Sequence, residues 1–214
     1  MANPTPIAIP VPNKPGQVYI PALGKSFAQI ELREDDVFDT VSTGSGAIAA
    51  GKELKFFSDL SNKLEQHTNM PNPSRIASGD EVAVFRIGLH PREATGQTLP
   101  VFDDYRKVFG NAHLIVEFNR RLITTGPAVK YSSGYGLAGV SDESSATAVS
   151  VGVPSQAAAP TLFVPQTLAD NDDTKGRLRF PDASWITGYV VPTLSSGILV
   201  TLFLHGVMKN PLGK

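Results

Sequence analysis

The feature that most constrains the fold is an apolar run at residues 197–208, GILVTLFLHGVM. Successive side chains of a strand point to opposite faces, and here both faces are apolar, with Thr201 and His205 as the polar interruptions. One face carries Ile198, Val200, Leu202 and Leu204, and the other carries Leu199, Phe203 and Val207. The run is far shorter than the roughly 20 residues of a membrane-spanning helix. It therefore predicts a strand that is covered on both sides inside a β-sandwich.

A second strand, at 81–89 (EVAVFRIGL), is also apolar on both faces, and two such strands imply two sheets packed face to face. The 19 glycines and 17 prolines fall between short alternating runs, as is typical of a β protein. The candidate strands are 18–20, 27–33, 37–41, 53–57, 81–90, 112–118, 121–125, 147–153, 161–164, 177–180, 186–191 and 198–208. We expect about eight of them to build an all-β fold, a jelly-roll β-sandwich.

Two short helices are predicted in the loops of this sandwich. The stronger one covers 101–109, with one apolar face, two aspartates in its first turn and Gly110 as its stop signal. The weaker one covers 59–66, with Leu60 and Leu64 buried. A parallel α/β fold would need a longer helix after nearly every strand, so these helices favour the all-β class.

Charge and composition exclude several classes of function. The 19 Lys and Arg balance 20 Asp and Glu, and the longest basic run is Arg120-Arg121, so the concentrated positive field that nucleic acid binding requires is missing. The chain has no cysteine, which excludes thiol catalysis, disulfides and thiolate metal sites. Prolines interrupt the apolar residues of 1–16 and no basic stretch precedes them, so we expect no signal peptide and folding in the cytoplasm.

Residues 1–16 are predicted to form a proline-rich arm, and 17–214 a single domain. Prolines at positions 4, 6, 10, 12 and 15 disfavour a sheet ladder and favour an extended, polyproline-like conformation. Because apolar residues lie between the prolines, two interpretations stay open: a disordered tail, or an arm that becomes ordered against a neighbouring subunit. The residues predicted to make that subunit contact are Pro6, Ile7, Ile9, Pro10, Val11 and Pro12.

A second appendage is predicted at about 125–160, a stretch that is poor in charge and rich in Gly, Ser and Ala. An excursion of this length from a small domain is usually either functional or disordered. Its segment ATAVSVGV has the composition of a strand. We therefore expect an exposed hairpin or loop that contacts partners.

Two glycine motifs match nucleotide-binding signatures in spacing alone. Residues 46–52, GAIAAGK, have the spacing of a phosphate-binding loop, but Glu53 stands where the magnesium-binding hydroxyl residue belongs, so we expect a β-turn. Residues 134–139, GYGLAG, match the dinucleotide fingerprint, but the sequence predicts neither a strand before them nor a helix after them. A loop is expected there, and no cofactor-binding residue is predicted.

The polar residues give no catalytic or metal-binding pattern. The four histidines never occur at metal-ligand spacing, and no serine lies in a GxSxG motif, so we predict no catalytic and no metal-ligating residue. His205 is expected to be buried, neutral and hydrogen-bonded. Asp170, Asp172 and Asp173 could hold calcium through oxygen ligands, but their spacing is incomplete, and a solvated turn is the favoured interpretation.

Several blocks of the chain together resemble single jelly-roll capsid proteins of tailless icosahedral bacteriophages. These blocks are the proline-bearing arm, the segment from Lys55-Phe56-Phe57 to Thr68-Asn69-Met70, the strand EVAVFRIGL and the closing ILVTLFLHGVM. The resemblance implies a structural virion protein, made in the host cytoplasm, whose copies assemble with one another and with other capsid proteins into capsomers of an icosahedral shell. It implies no enzyme, no cofactor and no small-molecule substrate. Because the arm is not basic, an internal membrane or another protein is expected to separate it from the genome.

Two other functions stay open. A carbohydrate-binding or spike module would use exposed aromatic residues such as Tyr131, Tyr135 and Trp185 to contact sugar. A glycoside-acting enzyme would need a carboxylate pair, and the two acids of such a pair meet only in the folded chain. The low charged fraction, 18% of residues, favours the shell, because uncharged surface is then available for partners to cover.

Overall fold

The computed structural model describes residues 8–21, 24–29, 32–93, 102–132, 160–182 and 192–209, and strands dominate these ranges. In chain order the elements are β1 (Ile9–Pro10), β2 (Gln17–Ile20), β3 (Lys25–Ala28), β4 (Leu32–Ser42), β5 (Gly46–Ala47), β6 (Glu53–Phe56), β7 (Glu81–Glu93), α1 (Phe102–Asn111), β8 (His113–Phe118), β9 (Arg121–Pro127), α2 (Ala128–Ser132), β10 (Thr161–Ala169), β11 (Thr174–Arg179), β12 (Thr193–Leu194) and β13 (Ile198–Lys209). The predicted all-β class is confirmed. Neither helix in these ranges is long and apolar enough to span a membrane.

Two four-stranded antiparallel sheets form a sandwich. The first sheet has the order β10-β7-β13-β4, and the second has the order β6-β11-β8-β9. Strand β13 is an interior strand of the first sheet, with β4 on one side and β7 on the other. Its pairing with β4 runs without a shift from Leu199↔Ser42 to Lys209↔Leu32. The apolar run that the sequence places in a sandwich interior is therefore the central element of this sheet.

The core lies between the two sheets, because the alternation of β13 turns one complete face toward the second sheet. Four β13 side chains on this face have no exposed surface: Ile198, Val200, Leu202 and Leu204. They form one apolar cluster with Leu114, Val116 and Leu178 of the second sheet and with Val108 of α1. The sheets approach closely at their centre, where a Cβ on Gly176 of β11 would lie 2.4 Å from Leu202 Cδ2.

The opposite face of β13 is covered in part by a third, three-stranded sheet of order β1-β2-β3, here named the outer sheet. Ile20 and Phe27 of the outer sheet pack with Ala83 and Val207 of the first sheet in a second, smaller apolar cluster. Phe203, four residues before Val207 on the same face of β13, is half-buried. At the Val207 end, the strand therefore has β structure against both of its faces, as its two apolar faces predict.

A β-bulge interrupts the pairing of β7 with β13. His205 pairs with Arg86 and Gly206 pairs with Val84, so Phe85 is the extra residue on β7. The bulge directs Phe85 toward the face of the first sheet that carries His205, and the two rings meet edge to face with centroids 4.9 Å apart. Bulges bend a strand and re-aim side chains in this way.

The predicted helix at 101–109 is confirmed, but it continues through Gly110 to Asn111. Asn111 Nδ2 donates to the carbonyl of Lys107 at 2.7 Å and completes the last turn, which explains why the glycine does not end the helix. Tyr105, Val108 and Phe109 are buried on its apolar face.

The predicted helix at 59–66 is wrong, since turns occupy this segment. Asp59 Oδ1 accepts a hydrogen bond from the amide of Ser61 at 2.9 Å, which is an Asx-turn arrangement that competes with a helix. Asn62 has a φ of 59°, in the left-handed region that ends right-handed helical structure. Leu64, expected to be buried, is 61% exposed.

The strand boundaries differ at Glu34-Asp35-Asp36, which the sequence places between two strands, and at β10, which continues five residues beyond the predicted 161–164. These acidic residues lie inside β4, an edge strand of the first sheet. Charged residues are tolerated on edge strands because one side of the strand faces solvent. The predicted strands at 147–153 and 186–191 lie outside the described residues.

The predicted excursion at about 125–160 is described only at its start. Residues 125–132 form the end of β9 and the helix α2, and Tyr131 is 1% exposed. Tyr131 Oη lies 2.8 Å from Thr124 Oγ1, which fixes α2 against β9. Residues 133–159 lie outside the described residues, so an exposed, partner-contacting excursion stays a prediction.

Candidate functional site

The predicted contact arm is described from residue 8 onward, so Pro6 and Ile7 lie outside the described residues. Ile9 and Pro10 form β1, which pairs antiparallel with β2. The expectation that the arm makes no sheet ladder is therefore wrong for these two residues. Proline lacks a backbone N–H, but an edge strand such as β1 tolerates it, because one side of the strand has no ladder to complete.

The rest of the described arm forms a turn that leads into β2. Val11 donates its amide to the carbonyl of Gln17 at 3.1 Å, and Pro12 is exposed in the turn. Ile9 is 38% exposed and its register partner Tyr19 is 37% exposed. We name these two side chains the Ile9/Tyr19 patch. The patch is an apolar surface on the side of the outer sheet that faces away from the sandwich.

A polar cluster that the sequence did not predict joins β4 to β13. His205 is the register partner of Asp36, and Glu34 lies two residues away on the same face of β4. The Nδ1 atom of His205 is hydrogen-bonded to Asp36 Oδ1, and the Nε2 atom lies 2.9 Å from Glu34 Oε1. We name these three residues the His205 cluster.

The surroundings of His205 favour its charged form. The hydrogen bond to Asp36 raises the pKa of His205, burial lowers it in part, and the charge of Asp36 and the contact with Glu34 raise it further, so that the pKa lies above its usual value. The predicted burial and hydrogen bonding of His205 are confirmed, with 8% of the residue exposed. The two carboxylates disfavour the predicted neutral state, because β4 places one of them at each ring nitrogen.

A second unpredicted carboxylate, Asp104, anchors the segment that leads into β13. Asp104 is fully buried in the first turn of α1. Its Oδ1 accepts from the amide of Ser195 at 2.9 Å, and its Oδ2 accepts from the amide of Ser196 at 3.0 Å. Both serine hydroxyls donate to Oδ2 as well. Burial alone raises the Asp104 pKa, but the hydrogen bonds from Ser196 and Ser195 outweigh it and hold the pKa below its usual value.

Asp104→Ala is expected to lower the free energy of unfolding by about 2–3 kcal/mol at neutral pH, because the amides of Ser195 and Ser196 lose a charged acceptor that is itself fully buried. Since the folded-state pKa of Asp104 is depressed, its contribution is present above the unfolded value of about 3.9 and is lost as the pH falls through the folded value. Urea unfolding at neutral and acidic pH measures both effects. Ser196→Ala keeps the amide donors and should lose less than about 1 kcal/mol. An equal loss in both variants would contradict the anchoring role.

A buried ion pair fixes the turn segment that follows β6. Asp39 lies on the core-facing side of β4 and has no exposed surface. Lys63 Nζ lies 2.7 Å from both carboxylate oxygens, and the amide of Phe57 donates to Oδ2 at 2.6 Å. The pair therefore holds residues from two separate turns against the edge of the first sheet.

The acidic stretch at Asp170, Asp172 and Asp173 forms the predicted turn between β10 and β11. Its carboxylates have separate partners, which are the amide of Gly79, the amide of Ala169 and the ammonium group of Lys175. In the ranges that the structure describes, no group of three or more His, Asp or Glu side chains is arranged to hold a metal ion.

The segment 46–52, which has the spacing of a phosphate-binding loop, contains the expected turn. Gly46 lies in β5, and Gly51 has a φ of 69° in the turn that follows. Lys52 Nζ donates to the carbonyl of Thr43 at 2.9 Å, so its ammonium group is committed to the protein backbone. The second motif, at 134–139, lies outside the described residues.

Two observations bear on the sugar-binding and glycosidase interpretations. Tyr131 is buried in the core, so it is not one of the exposed aromatics that sugar contact requires, and Tyr135 and Trp185 lie outside the described residues. The second sheet carries Glu53 and Glu117 in a shallow cavity of about 320 Å³. Arg177 contacts both, at 2.8 Å from Glu117 and 3.9 Å from Glu53, so a cation lies against each of these two acids.

Comparison with known proteins gives no family assignment. No model of a known protein family matches the chain, and no curated protein matches it. The fold and the surfaces described above therefore carry the functional inference.

Proposed function

We propose that this protein is a structural subunit of a virion shell, and that its sandwich is a jelly roll. The observation that carries the proposal is the strand order of the two sheets, β10-β7-β13-β4 against β6-β11-β8-β9. A jelly roll consists of eight strands in two such sheets, arranged as two Greek keys, and viral capsid domains are among the proteins that use it.

The path of the chain supports the jelly-roll assignment. From β4 the chain enters the second sheet at β6, returns to the first sheet at β7 and crosses again to β8. The hairpin of β8 and β9 stays within one sheet, and the chain then alternates between the sheets through β10, β11 and β13. Every neighbouring pair in the two sheets is antiparallel.

Lectins and cupins also use jelly rolls, so the fold alone does not give the function. The virion role rests on analogy with jelly-roll capsid domains and on the resemblance of the sequence to capsid proteins of tailless bacteriophages. The Ile9/Tyr19 patch supports assembly as the use of this fold. Its apolar side chains are partly exposed on β1 and β2, within and next to the described part of the proline-rich arm. We propose copies of the same chain and other capsid proteins as its partners, and the virion as its location.

Ile9→Asp is expected to weaken assembly. Ile9 is 38% exposed, so covering the rest of its side chain is worth about 1 kcal/mol, and placing the carboxylate of Ile9→Asp in the contact adds a desolvation cost. The dissociation constant of each contact should therefore rise by about fivefold or more. Static light scattering of the purified full chain over a range of concentrations measures the change. The expected result is a large assembled mass for the wild-type chain and a much smaller mass for Ile9→Asp at the same concentration.

Leu64→Asp is the matched control, because it introduces the same charge at an apolar side chain that is 61% exposed in a turn far from β1 in sequence. It should assemble like the wild-type chain, with the same circular dichroism spectrum. Equal assembly of the wild-type chain and Ile9→Asp would contradict the proposal that the arm forms part of the contact. A wild-type chain that stays monomeric at every concentration would overturn the shell function itself.

A further inference from the structure

We infer that the His205 cluster is a proton-dependent clasp between β4 and β13, closed when the imidazole carries two protons and weakened when it loses one. The clasp lies within one chain, so the inference holds whether or not the chain assembles into a shell. It joins an edge strand to an interior strand of the first sheet.

The geometry of the ring requires the second proton. A neutral imidazole has one N–H donor and one bare nitrogen, which accepts hydrogen bonds. Both nitrogens of His205 meet a carboxylate oxygen, one from Asp36 and one from Glu34. In the neutral form, one of these contacts would set two acceptors against each other. In the charged form both contacts are charge-assisted hydrogen bonds, which are the stronger kind.

Other charged groups on this side of the first sheet lie on β7, on β13 and in the outer sheet. Arg86 of β7 is the second register partner of His205, and its guanidinium carbon lies 5.4 Å from the centre of the Phe85 ring. Toward the outer sheet, Lys25 pairs with Glu81 at 3.2 Å. Lys209 of β13 lies over the Phe27 ring at 5.5 Å.

The cluster is also partly shielded from solvent, which strengthens the interaction between the imidazolium and the two carboxylates. The side chain of His205 is 10% exposed, while those of Asp36 and Glu34 are 33% and 59% exposed. The Phe85 ring meets the imidazole in an edge-to-face contact and covers part of its surface on the β7 side. Loss of the proton would leave two adjacent carboxylates on one strand without the cation between them.

The direction of the pH dependence follows from the raised pKa of His205. A group whose pKa is higher in the folded than in the unfolded chain stabilises the fold fully below the unfolded value, which is about 6.5 for histidine. That stabilisation is lost as the pH rises through the folded value. The clasp is therefore closed in mildly acidic solution and weakens toward alkaline pH.

The direct test is a titration of the His205 ring by NMR in the full-length chain, with the four histidine signals assigned by single substitutions. The expected result is a midpoint above about 6.5, and a lower midpoint in Glu34→Gln, which removes one carboxylate at an exposed position. A midpoint at or below about 6.5 in the wild-type chain would overturn the inference.

Amide hydrogen exchange gives a second readout, which begins with the wild-type chain. After correction for the intrinsic effect of pH, protection of residues 34–36 in the wild-type chain should fall by about tenfold for each pH unit by which the His205 pKa is raised, as the pH passes through the folded value. His205→Gln should remove this pH dependence. The matched control is His113→Gln, which changes an exposed histidine of β8 that is hydrogen-bonded to Thr125. This variant should keep the pH dependence of protection at residues 34–36. Identical pH dependence in wild type and His205→Gln would contradict the clasp.

Discussion

Gly206→Ala is expected to lower the free energy of unfolding by about 3 kcal/mol, the upper end of what overpacking in a protein interior costs. A Cβ at this position would lie 2.6 Å from the carbonyl oxygen of Ala83 and 2.7 Å from Val82 Cγ1. The first of these atoms belongs to the backbone of β7, which pairs with β13 along its length. Relief of the clash therefore requires the two interior strands of the first sheet to separate at the bulge.

Two glycines provide matched controls for this prediction. Gly110→Ala adds a methyl group in α1 with no atom within 4 Å, and it should raise stability by about 0.5–1 kcal/mol because alanine is the better helix former. Gly176→Ala would meet Leu202 Cδ2 at 2.4 Å and Phe56 Cβ at 3.2 Å, and it should cost less than Gly206→Ala because its closest contact is the end of a side chain and not backbone. Urea unfolding followed by circular dichroism measures all three. A Gly206→Ala chain within about 0.5 kcal/mol of wild type would contradict the pairing described for β7 and β13.

Asp39→Ala is expected to lower the free energy of unfolding by about 3–5 kcal/mol, which is the cost of removing one partner from a buried ion pair. Lys63 would be left with its ammonium group against a vacated site while its side chain is only 15% exposed. The amide of Phe57 would also lose its acceptor. Both lost interactions connect the segment that follows β6 to β4, so this segment should be the first to detach.

Asp103→Ala is the control for Asp39→Ala, because Asp103 forms ion pairs with Arg106 and Lys107 on the solvent side of α1. Exposed pairs of this kind contribute at most about 1 kcal/mol, so the control should stay close to wild type. Thermal or urea unfolding compares the two variants. If both lose the same small amount, the Asp39–Lys63 pair is not the buried anchor that the structure describes.

The sandwich and its central strand are predictable from the sequence because they depend on local alternation. Apolar residues at both odd and even positions of 197–208 require cover on both faces, and β13 has the second sheet on one side and part of the outer sheet on the other. The same logic identifies β7. The helix α1 is predictable because its apolar positions and its first-turn aspartates agree with each other.

The failures arise where long-range contacts decide the local structure. Residues 59–66 have apolar spacing suited to a helix, but Lys63 is committed to Asp39, and turns result. Glu34-Asp35-Asp36 reads as a break between strands, yet it continues β4 because His205 lies opposite. No local pattern reveals that register. The alternation of Glu34 and Asp36 does place both carboxylates on one face, and that is the signal that sequence reasoning could have used.

The proposed contact surface was predictable only in part. The apolar residues between the prolines of the arm indicate a segment that needs cover, and Ile9 is indeed exposed. Its partner Tyr19 was not predicted, because the pairing of β1 with β2 depends on a turn that brings the arm back along the chain. The Ile9/Tyr19 patch is thus a product of the fold of the outer sheet.

Negative-stain electron microscopy of the purified full-length chain tests the shell proposal most directly. We expect capsomers or closed shells built from repeated copies of one subunit, and their number should rise with protein concentration. Isolated molecules of single-chain size at every concentration, from a preparation that circular dichroism shows to be a folded β protein, would contradict it.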